Sequence, residues 1–190
     1  MITLNYFVRK NTDVCAGDFK DYWLGDHADR CLSIAPKVGI RNFTKCETRH
    51  EDDVNVLLQQ LYGTAADAYD FVDQMVINDL DEFKNGMTDA DVKAAVAVLH
   101  DSEASWVDHS RSDFWFSTEI PQVYSAEHCA ATWNNTLLKV FYVPRRLPHL
   151  ALEEAQLHWS SCHGAMARQF VEFLPYKKYV QGHRTDPELV

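Results

Sequence analysis

Residues 2–124 switch between strand-like and helix-like apolar spacing, and the order of the switches is the strongest constraint on the fold. Residues 2–9, ITLNYFVR, are β-rich and read as a strand, with KNTD as a turn after it. Over residues 16–35, Phe19, Trp23, His27, Cys31 or Arg30, and Ile34 recur at helical spacing. Asp13 or Asp18 is placed to cap that helix, and Pro36 follows its end. Residues 38–47, VGIRNFTKCE, predict a second strand; RHEDD reads as loop and VNVLLQQLYG as a short helix. Residues 69–77 predict a third strand, with Tyr69, Phe71, Met75 and Ile77 on one face and Val72 and Val76 on the other. Asn78 or Asp79 caps a short helix, DLDEFKNGM. A second long helix is predicted over 89–108, its stripe made of Val92, Ala95, Val96, Leu99, Ser102 or Glu103, and Trp106. Residues 113–124, DFWFSTEIPQVY, predict a fourth strand broken by Pro121.

Strand, helix, strand, strand, helix, strand is the split βαβ order of a ferredoxin-like α+β fold. Two helices cover one face of such a sheet and leave the other in need of a partner. Pairing two such faces closes a barrel, so the geometry predicts a homodimer or higher homo-oligomer, or a pseudo-dimer within one chain.

The chain also echoes itself. Shifted by 136 residues, its first 47 residues lie over 137–183. The first strand meets LLKVFYVP, DYWLGDHADR meets LHWSSCHGAM, and GIRNFTKCE meets PYKKYVQGH. Trp23 then falls on Trp159, His27 on His163, Arg41 on Lys177 and Phe43 on Tyr179. This predicts a complete domain over 1–124 and a partial βαβ copy over 125–190. Either the natural protein continues beyond Val190, or the short copy docks on another chain.

Composition narrows the function classes. The chain is 46% apolar with a formal net charge of -10, enough to bury a core and of the wrong sign for phosphate backbones or anionic lipid. No nucleic-acid or membrane partner is expected. No apolar stretch is long enough to span a bilayer, and MITLNYFVRKNTD lacks the features of a signal peptide. Five scattered cysteines without a CxxC fit free thiols in a cytoplasmic protein. No dinucleotide fingerprint, P-loop, nucleophile elbow or HExxH is present.

FKDYWLGDHADRCLSIAPKVGIRNFTKC resembles the opening of the EthD family: an aromatic, a Tyr-Trp pair, a His four residues on, then a strand with a basic residue and an aromatic. YDFVDQMVINDLDEFKNGM resembles the family's next segment, and DSEASWVDHSRSDFWFSTE its ending. The resemblance covers residues 2–120 well and 137–184 in part. It implies a dimeric α/β barrel with a largely apolar cavity and no cofactor. Family members include an auxiliary protein of ether degradation. Related barrels act as polyketide cyclases, dehydratases, decarboxylases and cofactor-independent monooxygenases. Residue by residue, it carries over to His27 with Trp23 and Tyr22, and to His163 with Trp159; Cys162 and His158 depart from the family pattern.

His27 is the leading candidate for chemistry. It shares a helix stripe with Trp23 and Phe19, and an imidazole in apolar surroundings stays neutral near pH 7 and suits general acid–base work. Its structural alternative is a core histidine bonded to a backbone carbonyl. Trp23, Phe19 and Trp159 could line a pocket for a small apolar, aromatic or polyketide-like molecule, or simply fill a core. Tyr22 and Tyr6 could donate to an enolate oxygen. Arg41 could hold a carboxylate, and Asp26 or Asp70 could orient His27. His158, Cys162, His163, His128 and Cys129 match no zinc spacing, so no metal is expected. The reading is a cofactor-free enzyme using His27 for proton transfer. An oxidoreductase or accessory protein of an oxygenase pathway and a non-catalytic binding barrel are its alternatives.

Overall fold

The computed structural model describes residues 2–50, 52–62, 67–124, 130–173 and 177–185. The chain divides into two compact units, residues 2–117 and residues 118–185.

In the first unit, β1 (Ile2–Val8) leads to α1 (Ala16–Leu24), α2 (Asp26–Ile34) and a 3-10 turn over Ala35–Val38. Then come β2 (Ile40–Glu47), α3 (Asp53–Tyr62), β3 (Phe71–Ile77), α4 (Leu80–Thr88), α5 (Ala90–Glu103) and β4 (Asp113–Val123), which runs on into the second unit. Strand order is β2-β3-β1-β4, with β1 and β2 both antiparallel to β3. This is the ferredoxin-like βαββαβ fold.

The helix expected over 16–35 is broken at Gly25. The Gly25 N–H closes α1 on the Asp21 carbonyl, and a Cβ at this position would lie 2.8 Å from that oxygen. Neither Asp13 nor Asp18 caps α1. Cys15 does, its Sγ accepting from the Asp18 N–H at 3.3 Å, because Asp18 already lies in the first turn. Asp79 and Asp89 cap α4 and α5 through their carboxylates. α5 stops at Glu103, short of the expected 108, and Val107 instead bridges to Lys10 beside β1. β4 passes through the exposed Pro121 without a break.

Two apolar clusters lie between helices and sheet. Val8, Phe19, Trp23, Phe71 and Val107 form one, and Ile34, Val38 and Val92 the other. His27 falls between Trp23 and Ile34 on the same helical stripe, so the sequence places a polar residue where the two clusters meet.

In the second unit, α6 (Leu152–His158), a π-helical turn over Trp159–His163 and α7 (Gly164–Gln169) precede β5 (Tyr179–Arg184), which neighbours β4. The strand expected over 137–144 does not form. Leu138, Val140 and Tyr142 are at least half exposed. β propensity needs a paired strand and a surface to cover, and alternation alone supplies neither. The segment that should begin the second copy is therefore not a strand. Among the described residues no helix is long and apolar enough to cross a membrane.

Candidate active site

Three strands lay a polar row beneath α2. Register sets Tyr6 opposite Asp73 and Asp73 opposite Lys45. Directly paired residues share a sheet face, so all three side chains point the same way. Asp73 has no exposed surface, and the Lys45 side chain is only 8% exposed. Lys45 Nζ donates to Asp73 Oδ2 at 2.6 Å, and Trp23 Nε1 donates to Asp73 Oδ1 at 3.1 Å. The Lys45 ammonium also stands 4.2 Å from the centre of the Trp23 ring.

His27 packs onto this row. Its ring stacks on Trp23 with centroids 3.6 Å apart, and the residue is 1% exposed. Its Nδ1 lies 2.9 Å from Lys45 Nζ, and its Nε2 lies 2.8 Å from Glu103 Oε1, a carboxylate delivered by the end of α5. Lysine has donors only, so Nδ1 accepts; the hydrogen therefore sits on Nε2 and is donated to Glu103. Glu103 Oε2 accepts from the Tyr6 hydroxyl at 3.2 Å. Cys31 Sγ lies 3.7 Å from Nδ1.

Burial decides the electrostatics. It pushes the His27 imidazole below its ordinary pKa, with the neighbouring Lys45 charge adding to the effect and Glu103 opposing it. It also lowers the Lys45 ammonium and raises the Asp73 carboxyl, each partly offset by the attraction between them. The Tyr6 phenol is pushed up by burial and then by the Glu103 charge. Burying a Lys, an Asp, a Glu and a His together costs desolvation that apolar residues would avoid, which marks the cluster as a candidate for chemistry.

Several sequence-predicted residues stand together here, and others do not. His27, Trp23 and Tyr6 belong to the cluster, and buried Phe19 backs it, its ring stacked 5.4 Å from Trp23. The largely apolar setting expected for His27 is replaced by one aromatic face and a charged rim. Tyr22 is at the edge. Its ring is 5.9 Å from His27, stacks on Trp106 at 4.5 Å, and its hydroxyl meets Ser102 Oγ at 3.1 Å. Tyr22, Trp106, Asp18, Asp21, Gly25 and Asp26 line an open groove of about 420 Å³. Asp26 is exposed there and does not hold His27, because adjacent helix residues point about 100° apart. Asp70 accepts from the Lys10 N–H and pairs with His50, away from the imidazole. Arg41 is exposed and pairs with Glu82 at 3.0 Å.

Trp159 and His163 lie in the second unit, both half-buried, with rings stacked 4.0 Å apart between Tyr142 and Tyr179. His158 and Cys162 on the same helical run are exposed, while His128 and Cys129 fall outside the described residues.

The residues that sequence reasoning missed are Lys45, Asp73 and Glu103. Each carried a signal: a charge at an inward position of an apolar pattern. Glu103 continues the Val92–Val96–Leu99 stripe, Asp73 sits between Phe71 and Met75, and Lys45 follows Phe43 by two.

The EthD domain model matches residues 13–110, more than half of the chain and the span holding His27, Lys45, Asp73 and Glu103. Among solved structures, an EthD family protein from Bacillus halodurans is 13% identical over 63% of this chain and 99% of its own, with a TM-score of 0.43. The cofactor-independent oxygenase SnoaB from Streptomyces nogalater is 14% identical over 62% and 89%, with a TM-score of 0.36. HapK from Hahella chejuensis is 14% identical over 70% and 100%, with a TM-score of 0.40. No curated protein matches the chain.

Proposed function

The chain belongs to the EthD family, and on that premise we propose that it is a cofactor-independent enzyme in which His27 moves a proton on a small, apolar carbonyl compound of aromatic or polyketide-like type. Cyclisation, dehydration and decarboxylation all draw on that one step. The observation that carries the reading is the buried pair in which Glu103 holds His27 Nε2–H at 2.8 Å and leaves Nδ1 as the basic nitrogen.

In this reading Lys45 rests on Nδ1 until substrate arrives. A carbonyl oxygen then takes the Lys45 hydrogen bond, the ammonium stabilises the developing enolate, and Nδ1 receives the α-proton. Depression of the imidazole pKa by burial keeps it unprotonated near neutral pH, as a base requires. Asp73 fixes Lys45 from behind, and the groove beside Tyr22 is the proposed entry. The working unit is a homodimer or higher homo-oligomer.

The test is deuterium incorporation at the α-carbon of a panel of small aromatic ketones and β-keto acids in D2O, followed by NMR. The wild-type protein should accelerate exchange on at least one of them. His27→Gln, which keeps a donor toward Glu103, should lose about a hundredfold or more of that acceleration while remaining folded. A wild-type protein inert on the whole panel, or a His27→Gln variant as fast as wild type, overturns the reading.

A further inference from the structure

A base buried like His27 must shed the proton it takes, and its two nitrogens face different ways. Nδ1 meets Lys45, and Nε2 meets Glu103. Glu103 has a second oxygen, and that oxygen looks outward. Oε2 accepts from the Tyr6 hydroxyl at 3.2 Å and lies 3.7 Å from Nε2 of His109. The other ring nitrogen of His109 lies 3.4 Å from the same Tyr6 hydroxyl. Because that hydroxyl gives its hydrogen to Glu103, it accepts from His109 Nδ1–H, which leaves His109 Nε2 free to accept. The His109 side chain is 36% exposed, and its ring stacks on the exposed His100 at 4.8 Å. Hydrogen-bonding groups thus run from Asp73, fully enclosed, through Lys45, His27 and Glu103 to a histidine at the surface.

We infer that Glu103 and His109 form a proton exit from His27 to solvent, with His109 as the surface relay and Tyr6 as the residue that positions it. This rests on the reading that His27 takes up a proton. When Nδ1 has accepted one, the Nε2–H bond breaks as an O–H bond forms on Glu103 Oε1. The carboxyl group then turns about its Cγ–Cδ bond and presents the proton to His109 Nε2, which passes it to water or buffer. Glu103 returns to a carboxylate and His27 is left with its hydrogen on Nδ1; when Nδ1 hands that hydrogen to the product, a proton taken from water back along the same path restores Nε2–H. One proton enters at Nδ1 and one leaves at Nε2, so no other reactant is needed. Exposed His109 brings an imidazole, with one nitrogen to take up a proton and solvent beside it to receive that proton, to the end of the path.

The experiment needs no substrate. In protein carrying 15N-histidine, NMR measures how fast the His27 Nε2–H exchanges with solvent. His109→Gln should slow that exchange about tenfold, with added imidazole restoring it and with the backbone amides of α2 exchanging as in wild type. If that variant does not fold, His109→Asn carries the same reading. Slowing of less than about threefold, or an equal change in the α2 amides, means that the proton leaves by local opening and overturns the relay. Because this exchange is read without turnover, failure of the relay leaves the role of His27 standing. Inactivity of the wild-type protein on ketones would in turn leave the relay measurement intact.

Discussion

Replacing Lys45 with Met tests whether the buried ion pair is what keeps Asp73 charged. Met is unbranched and of similar volume, though one atom shorter, so the change removes a charge and its donors with little change in packing. Asp73 would keep the Trp23 indole donor at 3.1 Å and lose the ammonium at 2.6 Å. With no exposed surface, it has no water to turn to. Breaking a buried pair from one side costs about 3–5 kcal/mol. An independent ceiling comes from protonation. Neutralising an ordinary aspartate of pKa ~3.9 at pH 7 costs about 4 kcal/mol, at ~1.4 kcal/mol per pH unit. The Met variant should therefore lose about 3–4 kcal/mol at pH 7, a fall in Tm of roughly 6–16 °C for a chain of this size. At pH 5 the same ceiling falls to about 1.5 kcal/mol, so most of the deficit should vanish on acidification. Adding Asp73→Asn, which removes the stranded charge and keeps an oxygen for Trp23, should recover most of the loss at pH 7. Urea denaturation of the wild type and of the single and double variants at both pH values gives these differences directly. A Lys45→Met variant within about 1 kcal/mol of wild type at pH 7, or a deficit equal at the two pH values, would refute the premise that Asp73 is held ionised by Lys45.

His27 and Cys31 give further expectations. Folding depresses the His27 pKa, so the unfolded chain binds more protons at mildly acidic pH, and the stability that neutral His27 confers is complete above about pH 6.5 and lost as pH falls below it. Urea midpoints between pH 7.5 and 5 should decline more steeply for wild type than for His27→Gln; parallel slopes would show that His27 does not titrate differently on folding. Burial pushes the Cys31 thiol up to about 12, whereas Cys15 and Cys162 are exposed. Iodoacetamide at pH 8 should alkylate Cys15 and Cys162 while sparing Cys31, as read by peptide mass spectrometry, and rapid labelling of Cys31 would contradict its burial.

The βαββαβ order was legible because each element in the first unit carries its own period: alternating Val, Ile and aromatics in the strands, and Phe19, Trp23, His27 and Ile34 down one helical stripe. These are local properties, fixed by how side chains leave a backbone of known pitch. The same logic picked out His27 and Trp23, whose stacking follows from their four-residue spacing on adjoining helices. It failed at residues 137–144, where a strand-like pattern lacks the sheet it would have to join.

What the linear order could not supply was the company His27 keeps. Glu103 lies 76 residues further along the chain, and Lys45 lies 18. Neighbouring Asp26, the partner expected from sequence, points the wrong way around its helix. Which carboxylate reaches an imidazole depends on strand register and on where α5 ends against the sheet. Those are settled by packing between distant segments, with a one-residue slip in β3 enough to turn Asp73 to the opposite face. The amino-acid sequence therefore determined the elements and the inward stripe, while tertiary packing alone decided that the stripe's one histidine would meet a lysine on one nitrogen and a glutamate on the other.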